Sequence, residues 1–274
     1  MMRFIKILPI FCTIAAIGLI VSCEDDKTTN PQDEAPTIPP LSSLMINIDE
    51  FPDTSTTNLE NPVATKGNWS WAAGNVNYWN SVLYVTLAVP AAAFVEAFNH
   101  QPVQQQDGSW LWKYSITYNQ ETYTAKLYGT SLSYGANWKM LLSKSGSYTD
   151  IEWFSGFSNL QATEGNWIVN KNPELPSPFL SIEWERDAQE GTASIKYTLI
   201  SPTVEHNGSY IFYGKTNEVP FNRFYQIFNS DINNLLDIKW NYESKFGRVL
   251  DVAYFGDSNF HCWDENLEDT ECTE

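Results

Sequence analysis

From Ser109 onward, apolar and polar residues alternate along the chain. Trp110, Trp112, Tyr114, Ile116 and Tyr118 hold one parity, and Ser109, Leu111, Lys113, Ser115 and Thr117 the other. That is the period of a strand buried on one face. Asn119-Gln120 reads as a tight turn, after which Tyr123, Ala125 and Leu127 continue the apolar parity. The pattern returns at Trp138, Met140 and Leu142, at Ile151 and Trp153, and at Trp167. Further along it returns at Leu180, Ile182 and Trp184, then at Ala193, Ile195, Tyr197 and Leu199. Ser145-Gly146 and Asn207-Gly208 mark hairpins, the second leading into a strand over 209–214. Ile238 and Trp240 precede a turn around Phe246-Gly247, and Val249 to Tyr254 returns. Strands at such spacing predict an antiparallel meander. So much aromatic surface on one face must be curled inward or covered. The expected fold is therefore mainly β, a curved meander forming an open or half β-barrel.

Before the meander the period is helical. Val76, Trp79, Leu83 and Leu87 step at three or four residues, with Asn75 or Asn77 as the expected cap. Pro90 suits the first position of a second helix carrying Phe94 and Phe98 on one face. One or two helices near residues 75–99 are thus expected to cap the barrel. Leu44 to Ile48 reads as a first short strand. Asp150-Ile151-Glu152-Trp153, Ser181-Ile182-Glu183-Trp184 and Asp237-Ile238-Lys239-Trp240 echo one another at unequal spacing. They are similar strands rather than a repeat array.

The first residues follow a different logic. Arg3 and Lys6 precede an apolar run from Ile7 to Val21, with small Ser22 before Cys23. The run is short for an uncleaved transmembrane helix and fits a signal h-region. Ile20-Val21-Ser22-Cys23 resembles the lipobox of bacterial lipoproteins. The resemblance implies loss of 1–22, a diacylglycerol on the Cys23 thiol and an acylated Cys23 amino group, so the mature chain is leashed to the outer membrane. Glu24-Asp25-Asp26 resembles the acidic export signal of Bacteroidota surface lipoproteins, which implies surface display; an ordinary linker facing the periplasm is the alternative. Residues 23–40 carry four prolines and five acids and read as a disordered tether, leaving 41–274 as a single β-rich domain. The strand pattern is similar to lipocalin-like and lipoprotein-carrier architectures. The mature chain also resembles uncharacterised lipoproteins with a Trp-rich meander and a Cys-Trp-Asp-Glu ending, here Cys262 to Glu265. Neither likeness supplies an activity.

Composition narrows the partners. The chain carries 16 Lys+Arg against 33 Asp+Glu, a net charge of −17, which becomes −19 once Arg3 and Lys6 leave with the leader. Such a surface repels nucleic acid, so no nucleic-acid partner is expected. Cys12 leaves with the leader and Cys23 takes the lipid, so Cys262 and Cys272 remain as an even pair, expected to form a disulfide after export.

Catalytic chemistry is sparse. No phosphate loop, dinucleotide fingerprint or His-Glu-x-x-His occurs, and Gly129 to Ser133 fails Gly-x-Ser-x-Gly at its last position. His100, His206 and His261 stand apart. Glu183 with Glu185, and Asp150 with Glu152, offer carboxylate pairs of the kind glycosidases use, but the alternation puts them on the wet face. Asp264, Glu265, Glu268, Asp269 and Glu271 would suit calcium or a solvated tail; they lack the spacing of an EF-hand loop, and no metal is assigned. No cofactor is implied and no catalytic residue is assigned. The remaining candidates are Trp110, Trp112, Trp138, Trp153, Trp184 and Trp240, as plain core or as the lining of a lipid or glycan cavity. Trp69, Trp71 and Trp79 fall outside the alternation and are alternative glycan contacts. The expectation is a non-enzymatic, lipid-anchored binding protein, with a surface glycan hydrolase or a structural, adhesive surface protein as alternatives.

Overall fold

A computed structural model describes residues 34–45, 51–52, 65–174, 176–203 and 205–272. Cys23, the leader and most of the tether lie outside them, as do residues 46–48 of the expected first strand. Leu41–Ser43 forms a single 3-10 turn, and Leu44 beyond it is fully buried. Ala35 and Ile38, assigned to the tether by composition, pack against the core.

One helix, α1, runs unbroken from Gly67 to Ala97 and precedes the sheet. The meander then follows as β1 (Val103–Gln104), β2 (Trp110–Tyr118), β3 (Glu121–Leu132), β4 (Gly135–Lys144), β5 (Tyr148–Asn159), β6 (Glu164–Asn170) and β7 (Pro178–Asp187). It continues through β8 (Thr192–Leu199), β9 (Tyr210–Lys215), β10 (Arg223–Asn229), β11 (Asn234–Trp240) and β12 (Gly247–Leu250). After a short helix, α2 (Val252–Phe255), come β13 (His261–Trp263) and β14 (Asp269–Thr270). All 14 strands pair with their sequence neighbours in one open antiparallel sheet. The expected Asn119-Gln120 and Ser145-Gly146 turns sit between β2 and β3 and between β4 and β5, with positive φ at Asn119, Gln120 and Gly146. The return over 249–254 is half strand and half α2, because Asp251 accepts from the backbone N–H groups of Ala253 and Tyr254 and starts a helical turn.

The sheet curls around its aromatic parity. Trp138, Trp167, Trp240, Trp263, Tyr197, Tyr225, Phe94 and Phe154 are fully buried on the concave side. Glycines opposite the indoles let the strands bend there. A Cβ at Gly165 would lie 2.9 Å from the ring of its cross-strand neighbour Trp184 and 2.2 Å from the Phe157 carbonyl oxygen. A β-bulge between Met140 and Leu141 against β5 adds one residue, so Trp153 and Phe154 both turn toward the core.

Helix α1 crosses the open side of the curl. It packs against β2 and β3 near one edge and against β12, β13 and β14 near the other. Pro90 starts no second helix. It withholds one backbone donor, yet Leu83, Leu87, Ala91 and Phe94 keep a single buried stripe through it, and that packing holds the helix across the missing bond. Nor do Asn75 or Asn77 cap the start; the Asn75 side-chain amide donates back to the Trp71 carbonyl oxygen. The cap comes from Asp269 on β14, which accepts from the N–H groups of Gly67 (3.0 Å) and Asn68 (2.9 Å) and from the Thr65 hydroxyl. The Cys262–Cys272 disulfide closes the segment that carries Asp269.

Candidate functional site

All six candidate tryptophans lie on the concave side of the sheet. Trp112, Trp138, Trp184 and Trp240 are buried, and Trp110 and Trp153 are partly buried against the same core. Trp240 stacks on Tyr225 at 5.3 Å, and Trp112 lies 5.8 Å from Trp138. The Trp138 indole donates to Ser158 Oγ, while the indole N–H groups of Trp110, Trp153, Trp184 and Trp240 have no hydrogen-bond partner among the described residues. These rings serve one another. Of the alternative glycan contacts, Trp79 is buried, Trp69 donates to the Pro52 carbonyl oxygen and Trp71 to Asp251. Where α1 meets the rim of β8 to β10, Trp79, Val82, Leu199, Ile227 and Phe228 line a hollow of about 230 Å³. That is below the roughly 300 Å³ at which small-molecule pockets begin.

The opposite face carries more. On β5 to β10 the outward positions align into a cross-strand row: Phe157, Asn166, Glu183, Lys196, Phe212 and Gln226. Five strand spacings make that row about 24 Å long. Beside it runs a second row of Glu164, Glu185, Ser194, Gly214 and Phe224. Gly214 has no side chain because the Phe224 ring covers it; a Cβ there would sit 2.0 Å from the ring. Phe212 meets Phe224 edge-on at 5.1 Å, and Tyr210 stacks with Phe228 at 5.4 Å. Lys196 Nζ lies 4.3 Å from the Tyr210 centroid. The first row, with Tyr210, Glu164, Glu185 and Ser194 beside it, lines an open cleft of about 670 Å³. An adjoining hollow of about 360 Å³ shares Glu164, Glu185, Ser194 and Phe212.

Amide, carboxylate and ammonium groups of Asn166, Glu183 and Lys196 thus lie between the aromatic rings of Phe157 and Phe212 along one groove. Glu185 accepts from Ser194 Oγ at 3.1 Å, and Glu164 stands directly opposite Glu185. Three carboxylates face one lysine in the main cleft, so its field is negative. The sequence signal for the aromatics was present but masked by the stronger parity. Tyr210, Phe212, Phe224 and Phe228 belong to strands that are aromatic on both faces, where the alternation is weakest.

The other candidates are engaged locally. Asp150 pairs with Lys126 (2.6 Å) and accepts from Ser143; the lysine, then the hydroxyl, holds its carboxyl below the usual range. Glu152 accepts from Ser155. His100 lies against Glu96 and Tyr114, His206 against Asp231, and His261 against Asp257 and Phe255. In the acidic ending, Asp264 holds the N–H groups of Asn266 and Glu268, and Asp269 caps α1. Among the described residues no three His, Cys, Asp or Glu side chains are grouped to hold a metal.

Comparison with family models, with curated proteins and with solved structures finds no match.

Proposed function

We propose that this protein is a lipid-anchored lipoprotein of the cell envelope, held to the outer membrane through Cys23, that binds a neutral glycan without turning it over. The supporting observation is the outward cleft along β5 to β10, where Phe157, Tyr210 and Phe212 offer ring faces beside Asn166, Glu183, Lys196 and Gln226. Sugar rings present C–H faces that stack on aromatics and hydroxyls that bond to carboxylates and amides. The negative field disfavours uronates and sulfated sugars. Binding on the concave side is disfavoured by the rings that fill it. Glu183 and Glu185 are exposed, whereas a general acid needs burial or a close like charge.

Titration of the full-length protein with neutral polysaccharides tests this. Phe212→Ala should weaken binding at least tenfold, and Glu183→Gln should weaken it without any change in product formation. Unchanged affinity in both variants would refute the site. One observation favours the hydrolase reading: Glu164 stands directly opposite Glu185, which sets two carboxylates side by side on one face. That reading requires reducing ends to accumulate with wild type and to vanish with Glu185→Gln. Metabolic palmitate labelling that disappears in Cys23→Ala tests the anchor separately.

A further inference from the structure

No charged side chain lies on α1 between Gly67 and Val95, and the helix is long and apolar enough by composition to cross a membrane. From Val82 to Val95 the helix is apolar on every side except at Thr86, and such a stretch is normally buried all round. This one is not, since only 39% of its most apolar 18-residue stretch is covered. Its C-terminal half turns Tyr84 (59% exposed), Val85 (82%), Val95 and Phe98 (50%) outward. Val103 on the edge strand β1 is exposed as well. At the border Glu96 lies 3.1 Å from the His100 ring. A contiguous apolar patch of this kind marks a surface that is covered in use.

We infer that this face of α1 lies on the surface of the bilayer that holds the lipid anchor, an inference that rests on the Cys23 reading above. Two observations choose the occupant. The first is where the chain comes in. Pro36 lies against Gly129 on β3, and the neighbouring strand β2 holds this half of α1 through the Tyr114 hydroxyl, which donates to the Ala93 carbonyl oxygen at 2.6 Å. Gly129 faces Trp110 at one end of the β2–β3 pair and Tyr118 faces Glu121 at the other, about 26 Å apart. The eleven residues from Cys23 to Glu34 reach about 38 Å when extended, so the tether is long enough for this half of α1 to meet the membrane that holds the anchor. The second is charge. A second copy would bring one mature chain of net charge −19 against another, whereas a zwitterionic lipid surface sets no such repulsion against a helix whose one charged residue is Glu96. Tyr84 and Tyr118, whose hydroxyls meet at 3.2 Å, are the aromatic type that settles at the level of lipid headgroups. The geometry is that of a helix lying in the interface, its other side committed to the sheet.

The test uses the anchored protein in phosphatidylcholine vesicles, with one environment-sensitive fluorophore on Val85→Cys, on Val95→Cys or, as control, on Thr124→Cys of the outward sheet face. With Cys23 acylated and Cys262–Cys272 bridged, the introduced thiol is the single free one. Emission at 85 and 95 should shift blue and be quenched by brominated acyl chains, and the label at 124 should show neither. Val85→Glu should at least halve the quenching at 95. Protein that floats with the vesicles while labels at 85 and 95 remain as open to aqueous iodide as that at 124 overturns the docking and leaves the anchor standing. Protein that does not float overturns the anchor and the docking with it. Labels buried without vesicles in a particle of twice the mass would assign the face to a second copy and likewise overturn the inference.

Discussion

Replacing Asp269 by alanine should destabilise the whole domain, although the residue lies near the end of the chain and far from the aromatic core in sequence. Helix α1 has no side-chain cap at Lys66. Its first free N–H groups, those of Gly67 and Asn68, are both taken by Asp269, 202 positions away from Gly67. Losing a side-chain cap costs about 1 kcal/mol. Losing a carboxylate from the positive end of a helix dipole adds about 0.5 kcal/mol, and the Thr65 hydroxyl loses its acceptor too. A total of about 2 kcal/mol lowers the melting temperature of a domain this size by about 4–8 °C. Asp269→Asn keeps one oxygen acceptor and loses the charge, so it should cost about half as much.

The same reasoning ties the cap to the disulfide. Closing the Cys262–Cys272 loop, of sequence separation 10, is worth about 2.7 kcal/mol in the chain-entropy treatment. Cys272→Ala should therefore cost that amount and also free β14 to swing away from α1. The double variant should then lose less than the two single losses added, by about 1 kcal/mol. Thermal unfolding followed by far-UV circular dichroism, with denaturant unfolding at 25 °C for the free energies, measures all four corners. An Asp269→Ala midpoint within about 1 °C of wild type, or strict additivity in the double variant, would refute the view that β14 starts the helix.

Two further outcomes follow from single buried groups. Tyr114→Phe removes the hydroxyl that donates to the Ala93 carbonyl oxygen in a buried site, and should cost about 1 kcal/mol in urea unfolding; a neutral result would mean that apolar packing alone fixes this half of α1. Burial pushes the Asp237 carboxyl above the ordinary aspartate range against the pull of Lys239 and Arg248, and one of its oxygens has no partner among the described residues. Its folded pKa exceeds the unfolded one, so folding takes up a proton and stability falls as pH rises through the window between the two. Asp237→Asn should flatten that fall and exceed wild type in stability at neutral pH, and parallel pH–stability curves for the two proteins would dismiss the effect.

What could be read from the sequence was whatever is encoded within a few residues. The alternation in Trp110 to Tyr118, the Asn119-Gln120 and Ser145-Gly146 turns and the Cys262–Cys272 pair all appear where local pattern put them. Features built from distant residues were hidden. Nothing near Gly67 signals a helix start, because its capping group belongs to β14. Pro90 reads locally as a beginning, and only the continuous stripe against the sheet shows that it is an interior position. The outward cleft was hidden for the same reason. Phe157, Glu183, Lys196 and Phe212 come from four strands, and only the register of a long meander sets them in line.

That register is also why the concave side and the outward side divide the work. An open sheet of this size must bury its inner parity, and bulky rings opposite glycines do so while letting the strands curve. Once the indoles have filled the curl, no freedom is left there to admit and release a ligand. The sheet edges are kept short, two residues each at β1 and β14, which limits pairing with other chains. The seam between the edge regions is bridged by α1, tied to β14 by Asp269 and to β2 by Tyr114. A seam helix in a body surrounded only by water would gain solubility from charged residues on its free side. Here that side carries Val85, Val95 and Phe98, although charged residues make up 18% of the chain. The fold does not require that side to be apolar, and the membrane docking inferred above would account for it.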